Sequence, residues 1–101
     1  MNETMRMHNP PHPGEFIIEV YLAPFGGSGR DLASKLNVSP STLSRVLNGS
    51  SRVTPEMALR LEKSLGRSAQ SWLAMQDAHD LWVAQQQVDL SDVKPWDLAS
   101  A

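Results

Sequence analysis

Within one short stretch, Ser41, Thr42, Ser44, Arg45 and Asn48 carry side chains suited to one kind of chemistry. All are polar and able to hydrogen bond, and Arg45 adds a guanidinium with its donors in a rigid fork. Such a set suits reading. It can exchange hydrogen bonds with base-pair edges in a groove about 12 Å wide, where arginine bidentate to guanine O6/N7 discriminates best. For this the five residues must share the outer face of a helix. Leu43, Val46 and Leu47 supply the inner face, at the i, i+3, i+4 spacing of a buried stripe. The free backbone N–H groups at the start of such a helix also suit a phosphate.

A second element must hold that helix at the right angle. The stretch Arg30 to Asn48 reads RDLASKLNVSPSTLSRVLN, and Leu32, Ala33 and Leu36 mark an earlier apolar face within it. Between the two faces, Asn37-Val38-Ser39 supplies a turn. Asn tolerates the left-handed backbone of a sharp corner, Val38 can plug the angle between the helices, and Ser39 caps the next helix. Pro40 takes the first helical position, where a missing N–H costs nothing. This is the sequence form of a helix-turn-helix, whose second helix enters a major groove with its N-terminal turns.

The flanking sequence predicts three more helices. The first runs from Gly14 to Leu22, with Phe16, Ile17, Val20 and Tyr21 on one face; Pro13 opens it, and Pro24 with Gly26-Gly27 closes it. The GGSG run that follows ends in a cap at Ser28 or Gly29. It is not a phosphate cradle, because the preceding element is helical and no GK[ST] follows. Beyond the helix-turn-helix, Gly49 suits a left-handed C-cap, and Asn48 and Arg52 fall where a groove edge would offer phosphates. Thr54-Pro55-Glu56 opens a fourth helix, with Met57, Ala58, Leu61 and Leu65 as its stripe and Gly66 as its stop. A fifth runs from about Ser68 to Gln86. Leu81, Ala74, Ala78, Trp82, Met75, His79, Trp72 and Val83 fill an arc of roughly 200° on it, against about 100° for a helix packed on one side. The excess predicts a second partner, another copy of the chain, with Trp72, Met75, Ala78, His79, Leu81 and Trp82 at the interface; a helix buried more deeply in a small monomer is the alternative. His79 is expected to be hydrogen bonded there, neither a ligand nor a base.

The expected architecture is therefore all-α, a compact five-helix bundle over residues 14–86. Residues 1–13 (MNETMRMHNPPHP) are polar, Pro-rich and without period, which predicts a flexible arm. His8 and His12 lie four apart, but Pro10 and Pro11 forbid a helix that would join them at a metal. The 87–101 tail carries Val88, Leu90, Val93, Trp96 and Leu98 among acidic residues, and either docks on the domain or orders on a partner.

Composition sets the outer limits. With 101 residues, 41% hydrophobic and 20% charged, the chain has room for one domain with one modest core. No apolar run approaches the roughly 20 residues of a membrane span, and no secretory h-region opens the chain. Zero cysteines exclude a structural disulfide or thiolate zinc site. A cytoplasmic setting is expected. There is no HExxH and no Ser-centred glycine elbow, so neither an enzyme nor a cofactor is expected. The net charge of −2 is unevenly spread. Residues 14–66 hold six basic against five acidic groups, giving +1, while residues 67–101 hold two against five, giving −3. Charge alone neither supports nor excludes DNA.

With these residues in view, the chain resembles the HigA antitoxin branch of the XRE-type helix-turn-helix family. The resemblance rests on HPGE at His12–Glu15, LASKLNVS at Leu32–Ser39 and STLSRVLNG at Ser41–Gly49. RVTPEMALRLEKSLG at Arg52–Gly66 and SAQSWLAMQDAHDLW at Ser68–Trp82 extend it. It implies a lambda-repressor-like DNA-binding domain, a homodimer on a palindromic double-stranded operator, autorepression, and a RelE-like ribonuclease toxin as partner. It also implies base-facing roles for Pro40, Ser41, Ser44 and Arg45, and phosphate-facing roles for Thr42, Asn48 and Arg52. The sequence departs from the pattern at Asn37, which replaces the usual turn glycine, and at Gly26–Gly29, which lacks the usual Leu-Ser-Gln-type helix start. Two alternatives stay open: a regulator acting without a toxin, and a protein-interaction module with vestigial DNA binding.

Overall fold

The computed structural model describes residues 9–98, and among these there are helices and no strand. Helix α1 (Pro13–Ile17) continues through a π-helical turn (Ile18–Leu22) and a single 3-10 turn (Ala23–Phe25). Then come α2 (Gly29–Leu36), α3 (Pro40–Leu47), α4 (Pro55–Leu65) and α5 (Ala69–Gln87). Ser28, Ser39, Thr54 and Ser68 each accept a hydrogen bond from the backbone N–H three residues on; the caps at Ser39 and Thr54 are as the sequence predicts, and Ser28 is one of the two it offered for α2. Asn37 ends α2 in the left-handed region at φ 58°, and Gly66 ends α4 at φ 88°.

The first helix differs from the expected face. Ile17 is buried, and Phe16 and Tyr21 pack against the core, but Val20 is 42% exposed. The π turn is the reason. An i→i+5 bond, seen where the Ala23 N–H donates to the Ile18 carbonyl, puts more residues into a turn than α geometry. Tyr21 and Leu22 therefore swing inward and Val20 rotates out.

The core joins every helix. Ile17 from α1, Leu32, Ala33 and Leu36 from α2, and Leu43 and Val46 from α3 meet Met57, Ala58 and Leu61 from α4. Trp72 of α5 closes this core at 0% exposure, with the Phe16 ring edge-on at 5.9 Å and the Tyr21 ring tilted at 6.2 Å. That corrects one expectation. Trp72 is enclosed by its own chain and offers no surface to a second copy.

Residues 1–8 of the expected arm, with His8, lie outside the described residues. From Pro10 onward the segment packs. The Pro10 carbonyl accepts a hydrogen bond from His79 Nδ1 at 2.9 Å, and His12 and Pro13 are buried. At the other end, Val88, Leu90, Val93, Trp96 and Leu98 are all more than half exposed. No helix among the described residues is long and apolar enough to cross a membrane.

Candidate nucleic-acid interface

The outer face of α3 presents Pro40, Ser41, Ser44, Arg45 and Asn48 exposed and Thr42 half-buried, while Leu43 and Val46 are buried and Leu47 packs on the core. The helix start is stiffened by its hydroxyls. Ser39 Oγ accepts from the Thr42 N–H at 3.1 Å and donates to Thr42 Oγ1 at 2.8 Å, with Ser41 Oγ 3.3 Å away. At the other end Asn48 Oδ1 accepts from the Ser50 N–H at 2.9 Å and from the Ser50 hydroxyl. The residues expected to face bases, with Asn48, are thus exposed together, and Thr42 lies partly covered beside them.

Two supports fix the angle of that face. In the turn, α2 ends on carbonyls that need partners, and Arg60 of α4 supplies them. Its Nη1 donates to Leu36 O at 2.8 Å and Asn37 O at 3.2 Å, while its Nη2 pairs with Glu56 at 2.8 Å. At the end of α3, Gly14 lets α1 press directly on the recognition helix. A Cβ there would collide with the Val46 carbonyl oxygen and lie 2.7 Å from Leu47 Cα.

His12 sets the α1 end of this contact. Its Nδ1 accepts from the Gly14 N–H at 2.9 Å, so the ring proton must sit on Nε2. Nε2 is buried without a full hydrogen bond, although the Ser51 backbone favours its proton. Burial first, then the His79 ring 5.3 Å away, push His12 below its ordinary value of 6.5. The HPGE stretch is therefore a structural unit: cap, helix opener, close-contact glycine and dipole-facing acid. Among the described residues no group of three or more His, Cys, Asp or Glu is placed to hold a metal ion.

Arg52, expected to face a phosphate, has a partner within the fold. Instead of standing free for a phosphate, its guanidinium reaches α5, 2.8 Å from Asp80 and 3.5 Å from Asp77. Partial burial opposes the charge on Asp80, but hydrogen bonds from Arg52 and Gln76, with the Arg52 charge, hold its carboxyl below the ordinary value. Gln76 is the residue that sequence reasoning missed. At 1% exposure, its Oε1 accepts from the Val53 N–H at 2.6 Å and its Nε2 donates to Asp80 at 3.0 Å. A polar side chain reads as surface unless its angular place is considered; Gln76 stands about 40° from the buried Trp72 at 100° per residue.

The remaining residues expected at an interface divide. Ala78 and Leu81 are exposed, Leu81 at 60%, whereas Met75, His79 and Trp82 are half-buried on their own domain.

A capped, tightly supported helix with a short polar outer face is the DNA-reading half of a helix-turn-helix, and the domain is of the class that uses one to bind DNA. The helix-turn-helix family matches over residues 18–72, and the chain belongs to it, in its XRE-type form. The chain is 41% identical over 90 residues to the HTH-type transcriptional regulator YddM of Escherichia coli, covering 89% of this chain and 95% of that one. An addiction module antidote protein of the HigA family from Coxiella burnetii superposes with TM-score 0.80 at 32% identity, over 87% of this chain and 99% of the other. The Pseudomonas aeruginosa antitoxin HigA, solved with the higBA promoter, superposes with TM-score 0.73 at 29% identity, over 85% and 97% of the two chains. The protein is thus a DNA-binding helix-turn-helix regulator.

Proposed function

We propose that this regulator is a dimeric, sequence-specific repressor and the antitoxin of a HigB/HigA-type pair, autoregulating its operon and neutralising a RelE-like ribonuclease toxin. The observation that carries the DNA half of this reading is the single exposed face that joins Ser41, Ser44 and Arg45 on α3. Arg45 is the residue for direct readout, bidentate to a guanine, with Ser41 and Ser44 adding less discriminating contacts and Pro40 packing beside them. Thr42 and Asn48 hold phosphates and set register. Two copies would place their recognition helices about 34 Å apart, one turn of DNA, on a palindromic operator. The exposed Leu81 and Ala78 of α5 support pairing through that helix, with Met75, His79 and Trp82 at its margin. The antitoxin half is supported by the similarity to HigA proteins, one of them solved on promoter DNA.

The test is fluorescence anisotropy on DNA from just upstream of the gene, with random duplex of equal length as control. An operator-to-random ratio of about 10³ or more is expected; a ratio near one would refute sequence-specific repression. Co-expression with a toxin-sized neighbouring gene should relieve growth arrest and yield a complex. A regulator acting alone would do neither.

A further inference from the structure

The loop after α3 is tied at both ends. In front, the Ser51 N–H donates to the Arg45 carbonyl at 3.0 Å, so the loop leans on the backbone of the guanine-reading residue. Behind, successive residues attach to α5: Arg52 by its side chain to Asp80 at 2.8 Å and Val53 by its backbone to Gln76 at 2.6 Å. Gln76 and Asp80 are one turn apart and are joined by their own hydrogen bond at 3.0 Å. Only a side chain with an acceptor and a donor at that reach serves both neighbours. Glu at 76 would set a carboxylate against Asp80, and Leu would leave the buried Val53 N–H without a partner.

The pair of Arg52 with Asp80 and Asp77 is solvent-accessible, at 53% side-chain exposure for Arg52, so it adds little to stability. Its effect is on placement and on charge. A cation beside a recognition helix that is free to meet any phosphate raises affinity for every sequence alike. A cation held by two carboxylates adds less, because it must leave them to meet a phosphate.

We propose that Asp80, seated on buried Gln76, is a specificity-determining positioning residue. It holds Arg52 on α5, which fixes the loop behind Arg45 and keeps the Arg52 charge out of sequence-independent attraction to phosphates. The inference rests on recognition by α3 as proposed above, but its first readout does not need an operator.

The experiment is anisotropy with the full chain on random duplex, over a salt series from about 50 to 200 mM, comparing wild type with Asp80→Asn. Asn keeps an acceptor for Gln76 Nε2 and loses the nearer of the two charges that hold Arg52, leaving only Asp77 at 3.5 Å; circular dichroism melting checks that the variant is folded. The slope of log K against log salt should steepen by about 0.9 for each further phosphate that the released arginine neutralises. Random-DNA affinity should rise several-fold at the low-salt end, and the operator-to-random ratio should fall. A slope and ratio equal to wild type would overturn the proposal. Arg52→Gln provides the second arm. It should leave the random-DNA slope as in wild type and lower the operator-to-random ratio. A slope flatter by about 0.9 would place Arg52 on a phosphate already, and overturn the proposal. If wild type itself shows no operator preference, the recognition reading fails, and the two slopes on random DNA still decide where the Arg52 charge acts.

Discussion

Helices α3 and α5 sort their residues in opposite ways. On α3 the division is clean, with Leu43 and Val46 inside and Ser41, Ser44 and Arg45 outside. Around α5, polar and apolar residues are spread almost evenly; Gln76 is buried and Leu81 is 60% exposed. The difference separates a helix that presents from a helix that connects. Ser44 and Arg45, exposed on the outer face of α3, can change while the fold stands. The polar residues of α5 are part of the packing itself, because the Val53 N–H and Arg52 depend on them.

The comparison breaks most visibly at Trp72. Trp72→Ala should cost about 3–5 kcal/mol of stability, since a fully buried indole leaves a cavity; chemical denaturation measures it, and a loss under about 1 kcal/mol would contradict the enclosed site. Gly14→Ala probes the seam between α1 and the recognition helix. With backbone on the far side of the missing Cβ, the added methyl should cost about 1–3 kcal/mol and weaken operator binding as α3 is pushed aside. Arg45→Ala should do the reverse of Trp72→Ala. Its melting temperature should match wild type, while operator binding loses about 1–3 kcal/mol and random-DNA binding changes far less. Equal losses on both DNAs would end its role as base reader.

The smallest effect expected is a pH dependence through His12. Its folded value lies below the unfolded one, so the native state takes up a proton less readily than the unfolded chain. The stability it contributes is complete above about pH 6.5 and is lost as the pH falls from there through the lowered folded value. Protonation would also place a hydrogen on Nδ1, which now accepts the α1 cap. Thermal melts from about pH 8 down to about pH 5 should show a decline that begins near 6.5 and is flattened in His12→Asn, because Asn can cap without titrating. A wild-type curve without that step would show that His12 does not couple folding to pH.

The helix-turn-helix was legible because its signals are local. Ser39 caps because a hydroxyl three residues before an N–H can reach it, Pro40 follows because no donor is needed there, and Asn37 turns because its backbone tolerates positive φ. The amphipathic stripe of α3 then decides which side chains face out. The face of α1 was less legible. Its apolar spacing fits α geometry, and the π turn leaves Val20 exposed while Tyr21 lies against Trp72, more than fifty positions along the chain.

By itself, the sequence determined the order of the helices, the caps of α2, α3 and α4 and the polar face of α3, since each depends on neighbours within about one helical turn. Only the tertiary structure decided that Trp72 belongs to the core, that His12 caps and packs instead of trailing in an arm, and that Arg52 turns to Asp80. Gln76 shows why. Its partner Val53 is 23 positions away, and no periodicity along a chain records which distant N–H a buried side chain must satisfy.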